Sequence, residues 1–296
     1  MNKTDPQPVS LQRRIGLPGL VLYGVGTIVG AGFYALLGKI IGRAGIFAPL
    51  SLLLAGGLAL ISAYSFAELS RRYPVSAGEV AYVQAAFGLP RLSQLVGVMV
   101  IATGLISAAT LCAATGGFLF DLTGFPAHWL IVFTVLALLA IAAWGVAQSV
   151  AVVALITLLE VGTLVLIIVL SSQQVLESPS QLLAMFEQRA DINPAALLAA
   201  SFLAFYAFIG FEDMVNMAEE VRDVQHILPL AIVICLFVSL LLYLGVSVVA
   251  LSLENRSALA SANTPMALLF PQMKYSGIYI GVISVLAGLN LSLIHI

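Results

Sequence analysis

Apolar residues run through this chain in long blocks separated by short polar breaks. The blocks are too long for ordinary strands, and they lack the two-residue alternation of a membrane barrel. They predict about eight membrane-spanning helices, near 16–38, 45–67, 92–119, 127–145, 149–170, 195–217, 229–251 and 275–296. Each block approaches the roughly 20 residues that a helix needs to cross hydrocarbon. The predicted class is an all-α integral membrane protein. Between the fifth and sixth blocks, Ser171 to Asn193 is the longest polar connection and is expected to form a short surface helix. A second polar loop, Glu254 to Gln272, carries Pro265 and Pro271. The last block contains Asn290 and reaches His295-Ile296 without a polar flank, so a C-terminally truncated fragment is expected.

One block departs from its neighbours. Gly24, Gly26, Gly30 and Gly32 punctuate the first span, within Gly24-Val25-Gly26-Thr27-Ile28-Val29-Gly30-Ala31-Gly32-Phe33. Glycine costs about 1 kcal/mol relative to alanine in a helix interior. A helix that only crossed lipid would have no use for so many. The run predicts a helix that opens, freeing backbone groups that membrane depth tolerates only when they are buried in protein or line a cavity. Close helix packing is the competing reading, and Gly26 and Gly30 have its spacing. A dinucleotide reading fails for want of the strand–turn–helix setting and the later ribose-binding acid.

The sixth block, Ser201 to Asn216, holds a second such point at Gly210-Phe211, followed at once by Glu212 and Asp213. Each acid is costly facing lipid, so it faces protein, water or a partner. Interruptions in the first and sixth spans are the pattern of a secondary transporter built from inverted repeats.

Composition narrows the alternatives. The chain is 61% hydrophobic and 9% charged, against about 25% charged in soluble domains. The net charge of −2 and the lack of a basic patch argue against nucleic acid as a partner. The first dozen residues are polar, so no cleavable signal peptide is expected before the first span. Cys112 and Cys235 lie in separate apolar runs and read as core thiols, and His128 and His226 have no ligand-spaced partners, so no metal is expected. No cofactor is implied. Neither a Gly-x-Ser-x-Gly nor a His-Glu-x-x-His run is present, which argues against an intramembrane enzyme. A sensor on a transporter fold is the other rival. With a cytoplasmic N-terminus, the inside would hold Lys3, Arg13, Arg14, Arg71, Arg72, Arg91 and Arg222, in keeping with the positive-inside rule.

Three stretches carry a family resemblance. Gly26-Thr27-Ile28-Val29-Gly30-Ala31-Gly32-Phe33 resembles the first-helix signature of the amino acid–polyamine–organocation permeases. Ala67-Glu68-Leu69 through Pro74, Gly78, Tyr82 and Phe87-Gly88 is similar to the loop between their second and third helices. Phe208-Ile209-Gly210-Phe211-Glu212, then Ala218-Glu219-Glu220-Val221-Arg222-Asp223 and Pro229, resembles their sixth helix and the loop after it. The resemblance implies a LeuT-like inverted-repeat fold with helices 1 and 6 broken. It also implies transport of an amino acid across the cytoplasmic membrane. On that pattern, residues 1–15 form an N-terminal tail and 16–170 the first five-helix repeat. Residues 171–194 would form an extracellular connection, and 195–296 three helices of the second repeat.

The resemblance places substrate at the two breaks, and the chemistry of helix ends says how. An amino acid presents a carboxylate and an ammonium close together. The first turn of a half-helix offers unpaired N–H groups and partial positive charge, and the last turn of its predecessor offers unpaired C=O groups. Amides of Val29, Gly30, Ala31 and Gly32 are expected to take the carboxylate. Carbonyls near Phe205 to Phe208, with Thr27 and Ile28, are expected to take the ammonium, and Ile209 and Gly210 complete the set. Phe33 and Phe211 are candidate gates. Phe33, Phe205 and Phe208 could also wall the substrate, which leans toward a neutral side chain.

Glu160 sits alone in the fifth span, within Ile156-Thr157-Leu158-Leu159-Glu160. Some proton-coupled members of the resembled family have a lysine near this place, where sodium-coupled ones hold the ion; this chain has glutamate instead, so the lysine mechanism does not transfer. Glu160 is a candidate proton site, a Na+ ligand, or an acid hydrogen-bonded between helices. Glu219, Glu220, Arg222 and Asp223 read as solvated surface, or as a latch pairing with Arg71, Arg72 or Arg91.

Overall fold

The computed structural model describes residues 13–144, 146–177, 193–252, 256–261, 265–269 and 276–295, nearly all of them helical. Helix α1 spans Leu17–Val29 and α2 spans Ala31–Ala44; Gly30 between them leaves the helical region with ψ −163°. A 3-10 turn at Gly45–Phe47 leads into α3, Ala48–Arg72. Then follow α4 (Gly78–Phe87), α5 (Pro90–Thr123), α6 (Ala127–Trp144) and α7 (Val146–Glu177). Helix α8 spans Pro194–Tyr206, and a turn over residues 207–210 separates it from a 3-10 helix at Phe211–Met217. The described residues end with α9 (Val224–Leu251), α10 (Arg256–Ser261), α11 (Pro265–Leu269) and α12 (Ser276–His295).

Local chemistry explains several of these boundaries. Proline opens α5 and α8, where its missing N–H is not needed. Asn193 caps α8, its side-chain oxygen accepting from the amides of Ala195 (3.0 Å) and Ala196 (3.2 Å). Helices α4 and α5 stop at glycines in the left-handed conformation, Gly88 (φ 64°) and Gly124 (φ 70°).

Among the described residues, seven helical stretches are long and apolar enough to cross a membrane, with a shorter apolar stretch at Ile278–Ser292. The eighth expected span is helical, as α12 over Ser276–His295. Two expectations about connections change. The segment between the second and third spans is not simply a loop, because α4 occupies ten residues of it. The connection from Ser171 does not leave the membrane helix at once, since α7 continues to Glu177; residues 178–192 lie outside the described residues. Ile296 and parts of the Glu254–Gln272 loop also lie outside them.

Burial ranks the helices. Helix α1 is enclosed on every side from Tyr23 to Val29. It packs on α7 and α9, while α9 also lies along α3, α8 lies against α2 and α3, and α12 rests on α5 and α7. Helices α5 and α6 turn large apolar side chains outward, among them Ile101, Ile106, Phe133 and Trp144. Hydrocarbon chains are as apolar as these side chains, so a lipid surface accepts them. The interior is therefore built around α1.

Candidate functional site

The end of α1 just before Gly30 and the turn that holds Gly210 meet in the core. Gly210 has φ +130°, a conformation few side chains adopt, and a β-carbon there would stand 2.5 Å from the Thr27 carbonyl oxygen. Only glycine fits both the backbone and the space. The Thr27 hydroxyl is spent within its own helix, donating to the Gly24 carbonyl at 2.7 Å. The hydroxyl oxygen keeps its acceptor lone pairs, and the Thr27 carbonyl faces Gly210.

The neighbouring carbonyl has a different partner. Ile28 lies in the last turn of α1, whose carbonyls have no amide one turn ahead. The Tyr243 hydroxyl, from the middle of α9, lies 2.7 Å from the Ile28 carbonyl oxygen and 2.9 Å from that of Ala207, just past the end of α8. The ring of Phe33 stacks on Tyr243 at 3.6 Å and 11°, and Phe208 leans on it at 5.0 Å and 52°. Phe33, Phe208 and Tyr243 are wholly buried. Two helix ends, two phenylalanines and one phenol thus converge.

Helix α2 begins beside this cluster with no side chain capping its first turn. Its leading amides are the donors that an anion at a helix N-terminus uses. A β-carbon on Gly32 would meet nothing within 4 Å, so there is open space beside that turn. Gly30 is different: a β-carbon there would press on the Gly26 carbonyl (3.2 Å) and on Leu291 of α12 (3.4 Å). Gly30 serves helix packing as much as access, and Val29 is fully buried.

Not every expected residue joins the cluster. Ile209 is 40% exposed and turns outward, and Phe205 is only half-buried. Phe211 points instead to Phe66 of α3, edge-on at 5.7 Å, and Phe66 in turn meets Tyr82. The Glu212 carboxylate accepts from the Gly210 amide at 2.8 Å and so caps the 3-10 helix that follows.

Glu160 is fully buried on α7. Its Oε2 accepts from Asn290 Nδ2 of α12 at 3.2 Å, and the same amide donates to Thr157 Oγ1 at 3.1 Å. Glu160 Oε1 and Asn290 Oδ1 have no hydrogen-bond partner among the described residues. Gly26 of α1 closes the group, since a β-carbon there would collide with Thr157 Oγ1 and Asn290 Nδ2. Tyr34, next to Phe33, donates to the Glu160 backbone carbonyl at 3.0 Å. The first turn of α2 therefore touches both the aromatic cluster and the buried acid.

Comparison with known proteins identifies the family. The family model "Amino acid permease" matches residues 15–295. The chain belongs to the amino acid permease family. The permease is 30% identical over 268 residues to an uncharacterized transporter of Mycobacterium tuberculosis, an alignment covering 89% of this chain and 58% of the relative. It is 30% identical over 311 residues to the chloroplastic cationic amino acid transporter 9 of Arabidopsis thaliana, covering 96% and 53% respectively. It is 27% identical over 240 residues to the inner membrane transport protein YbaT of Escherichia coli, covering 80% and 55%. The chain spans a little over half the length of these curated relatives. The family and the apolar helices make it an integral membrane protein.

The permease has a second polar region, at the end of the bundle where the chain enters α1. Ile15 and Val221 pair as a short parallel bridge, the Ile15 amide donating to the Glu220 carbonyl (3.0 Å) and the Arg222 amide to the Ile15 carbonyl (2.9 Å). The Glu219 carboxylate accepts from the Ser76 amide at 3.2 Å, and the Glu219 amide donates to Ser76 Oγ at 3.3 Å. Arg71 and Arg72 are not the partners here; both bind Glu68 on their own helix, at 3.2 and 2.8 Å. Burial, with a smaller push from the Asp213 carboxylate, holds Glu79 above the ordinary carboxylate range. Burial and then the neighbouring Glu219 do the same to Glu220.

Sequence reasoning missed Tyr243 and undervalued Asn290. Both had a signal. Each is a polar side chain in the middle of an apolar block, where an unpartnered hydroxyl or amide is expensive and so implies a partner.

Proposed function

We propose that this permease binds an amino acid at the two helix interruptions as the central step of secondary transport. The carboxylate would sit on the uncapped amides at the start of α2, around Ala31 to Phe33. The ammonium would sit between the carbonyls of Ile28 and Ala207. One observation carries the reading: a single hydroxyl lies within hydrogen-bonding distance of both carbonyls, one on each side of the meeting interruptions. That spacing suits a compact donor. Relatives named as cationic amino acid transporters favour a cationic side chain. The phenylalanine walls favour a neutral apolar one.

In this reading Glu160 carries the coupling proton, or less favourably binds Na+, and Tyr34 links it to the substrate site. The chain then holds one five-helix repeat at 16–170 and part of its inverted counterpart at 195–296. It sits in the cell membrane with its N-terminus cytoplasmic.

The test is a thermal-shift screen of the purified, detergent-solubilised chain against the twenty amino acids. A ligand that binds only the folded state, at a hundred times its Kd, stabilises by about 2.7 kcal/mol. A chemically related subset should raise the melting temperature. A folded chain indifferent to every amino acid would overturn the reading. Glu160→Gln is expected to abolish the pH dependence of binding, and retained dependence would move the proton elsewhere.

A further inference from the structure

The position assigned above to the ammonium already has an occupant. Tyr243 is wholly buried, with its hydroxyl 2.7 Å from one carbonyl oxygen and 2.9 Å from the other. A phenol carries one proton, so it gives a full hydrogen bond to only one of them at a time. The second carbonyl is left short of a donor where each missing bond is expensive. An ammonium carries three protons and would satisfy both. The ring that delivers the hydroxyl is held by Phe33 at the start of α2 and by Phe208 in the turn after α8. Ring and hydroxyl together tie α1, α2 and the 207–210 turn to α9.

We infer that Tyr243 is an internal stand-in for the substrate ammonium. Its hydroxyl holds the two interruptions closed while the site is empty, and a bound amino acid displaces it. The inference rests on the substrate reading above. Displacement also moves the ring that Phe33 stacks on, and Phe33 adjoins Tyr34, whose hydroxyl holds the Glu160 backbone. Substrate entry and the buried acid are thereby joined through one turn of helix. The device selects for an amine: a ligand without one has no donor to offer the two carbonyls and leaves the tyrosine's hydrogen bonds in place.

Tyr243→Phe removes the hydroxyl and keeps the ring. Calorimetric titration of the full chain would use L-leucine and L-arginine, which stand for the two side-chain classes proposed above. Each is compared with its amine-less analogue, isocaproate or guanidinovalerate. The variant should bind the amino acid about fivefold more tightly, because one competing hydrogen bond is gone, and should bind the amine-less acid unchanged. Weaker amino acid binding would make the hydroxyl a substrate contact and overturn the inference. An equal gain for both ligands would overturn it as well, since the amine would then not be the competitor. If wild type binds neither amino acid, the substrate reading itself fails and the inference falls with it. Fluorotyrosine placed at position 243 covers the case in which the variant does not fold. Its fluorine resonance should move with the amino acid and stay still with the amine-less acid; a resonance indifferent to both would refute the displacement.

Discussion

Gly210 and Gly32 flank the same cluster, yet alanine should affect them in opposite ways. At Gly210 the backbone has φ +130° and the new β-carbon would meet the Thr27 carbonyl. Gly210→Ala is expected to cost at least about 1–3 kcal/mol of stability, read as a lower melting temperature in detergent. At Gly32 there is open space within a helix. Gly32→Ala should leave stability unchanged or raise it by about 0.5–1 kcal/mol. A sequence shows the glycines but not this difference, which depends on what lies opposite each α-carbon. Tyr243 teaches the complementary lesson. Its place in an apolar block announces that the phenol must find a partner, and only packing says that the partners are Ile28 and Ala207.

At the scale of elements, α7 and α12 are joined by polar groups inside an apolar interior. Asn290→Leu would strip Glu160 Oε2 of its donor and is expected to cost about 1–3 kcal/mol. Adding Glu160→Leu should recover part of that loss, because the acid would no longer be buried unpaired; melting temperatures of the two single variants and the double measure the coupling. The spans themselves were legible because a helix in lipid needs a continuous apolar run, and hydropathy reports that run directly. Helix α4 and the 3-10 segment at Phe211–Met217 were not legible in the same way. They are short, half-buried and polar enough to resemble loop, and their form follows from neighbours such as Ser76, Glu219 and Phe66.

Across the whole molecule, the contacts of Ile15 with Glu220 and Arg222, and of Ser76 with Glu219, fasten the chain's entry and the segments before α4 and α9 to one another. Glu79 and Glu220 lie in this region and hold their protons more tightly folded than unfolded. At these two carboxyls the native state therefore binds more protons than the unfolded chain above the ordinary carboxylate value of about 4.3. Their contribution to stability falls as pH rises from there through the raised folded values. Glu79→Gln should flatten that fall, so that melting temperatures of variant and wild type converge at acid pH and separate in the variant's favour toward neutrality. Curves that stay parallel throughout would remove Glu79 from the pH response.

By itself the sequence determined that this protein is a bundle of membrane helices and that glycines interrupt the composition of two of them. Both follow from local physics: lipid forces backbone groups to pair within the helix, and glycine weakens that pairing wherever it sits. It also carried the motifs that mark the permease family. Only the tertiary structure decided that Gly210 lies against Thr27, that Phe211 turns to Phe66, and that Asn290 holds Glu160. The Tyr243 hydroxyl reaches one carbonyl 215 residues away and another 36 residues away. No local preference links positions so far apart. The link arises because buried polar groups must be satisfied, and close packing leaves one side chain in reach of both.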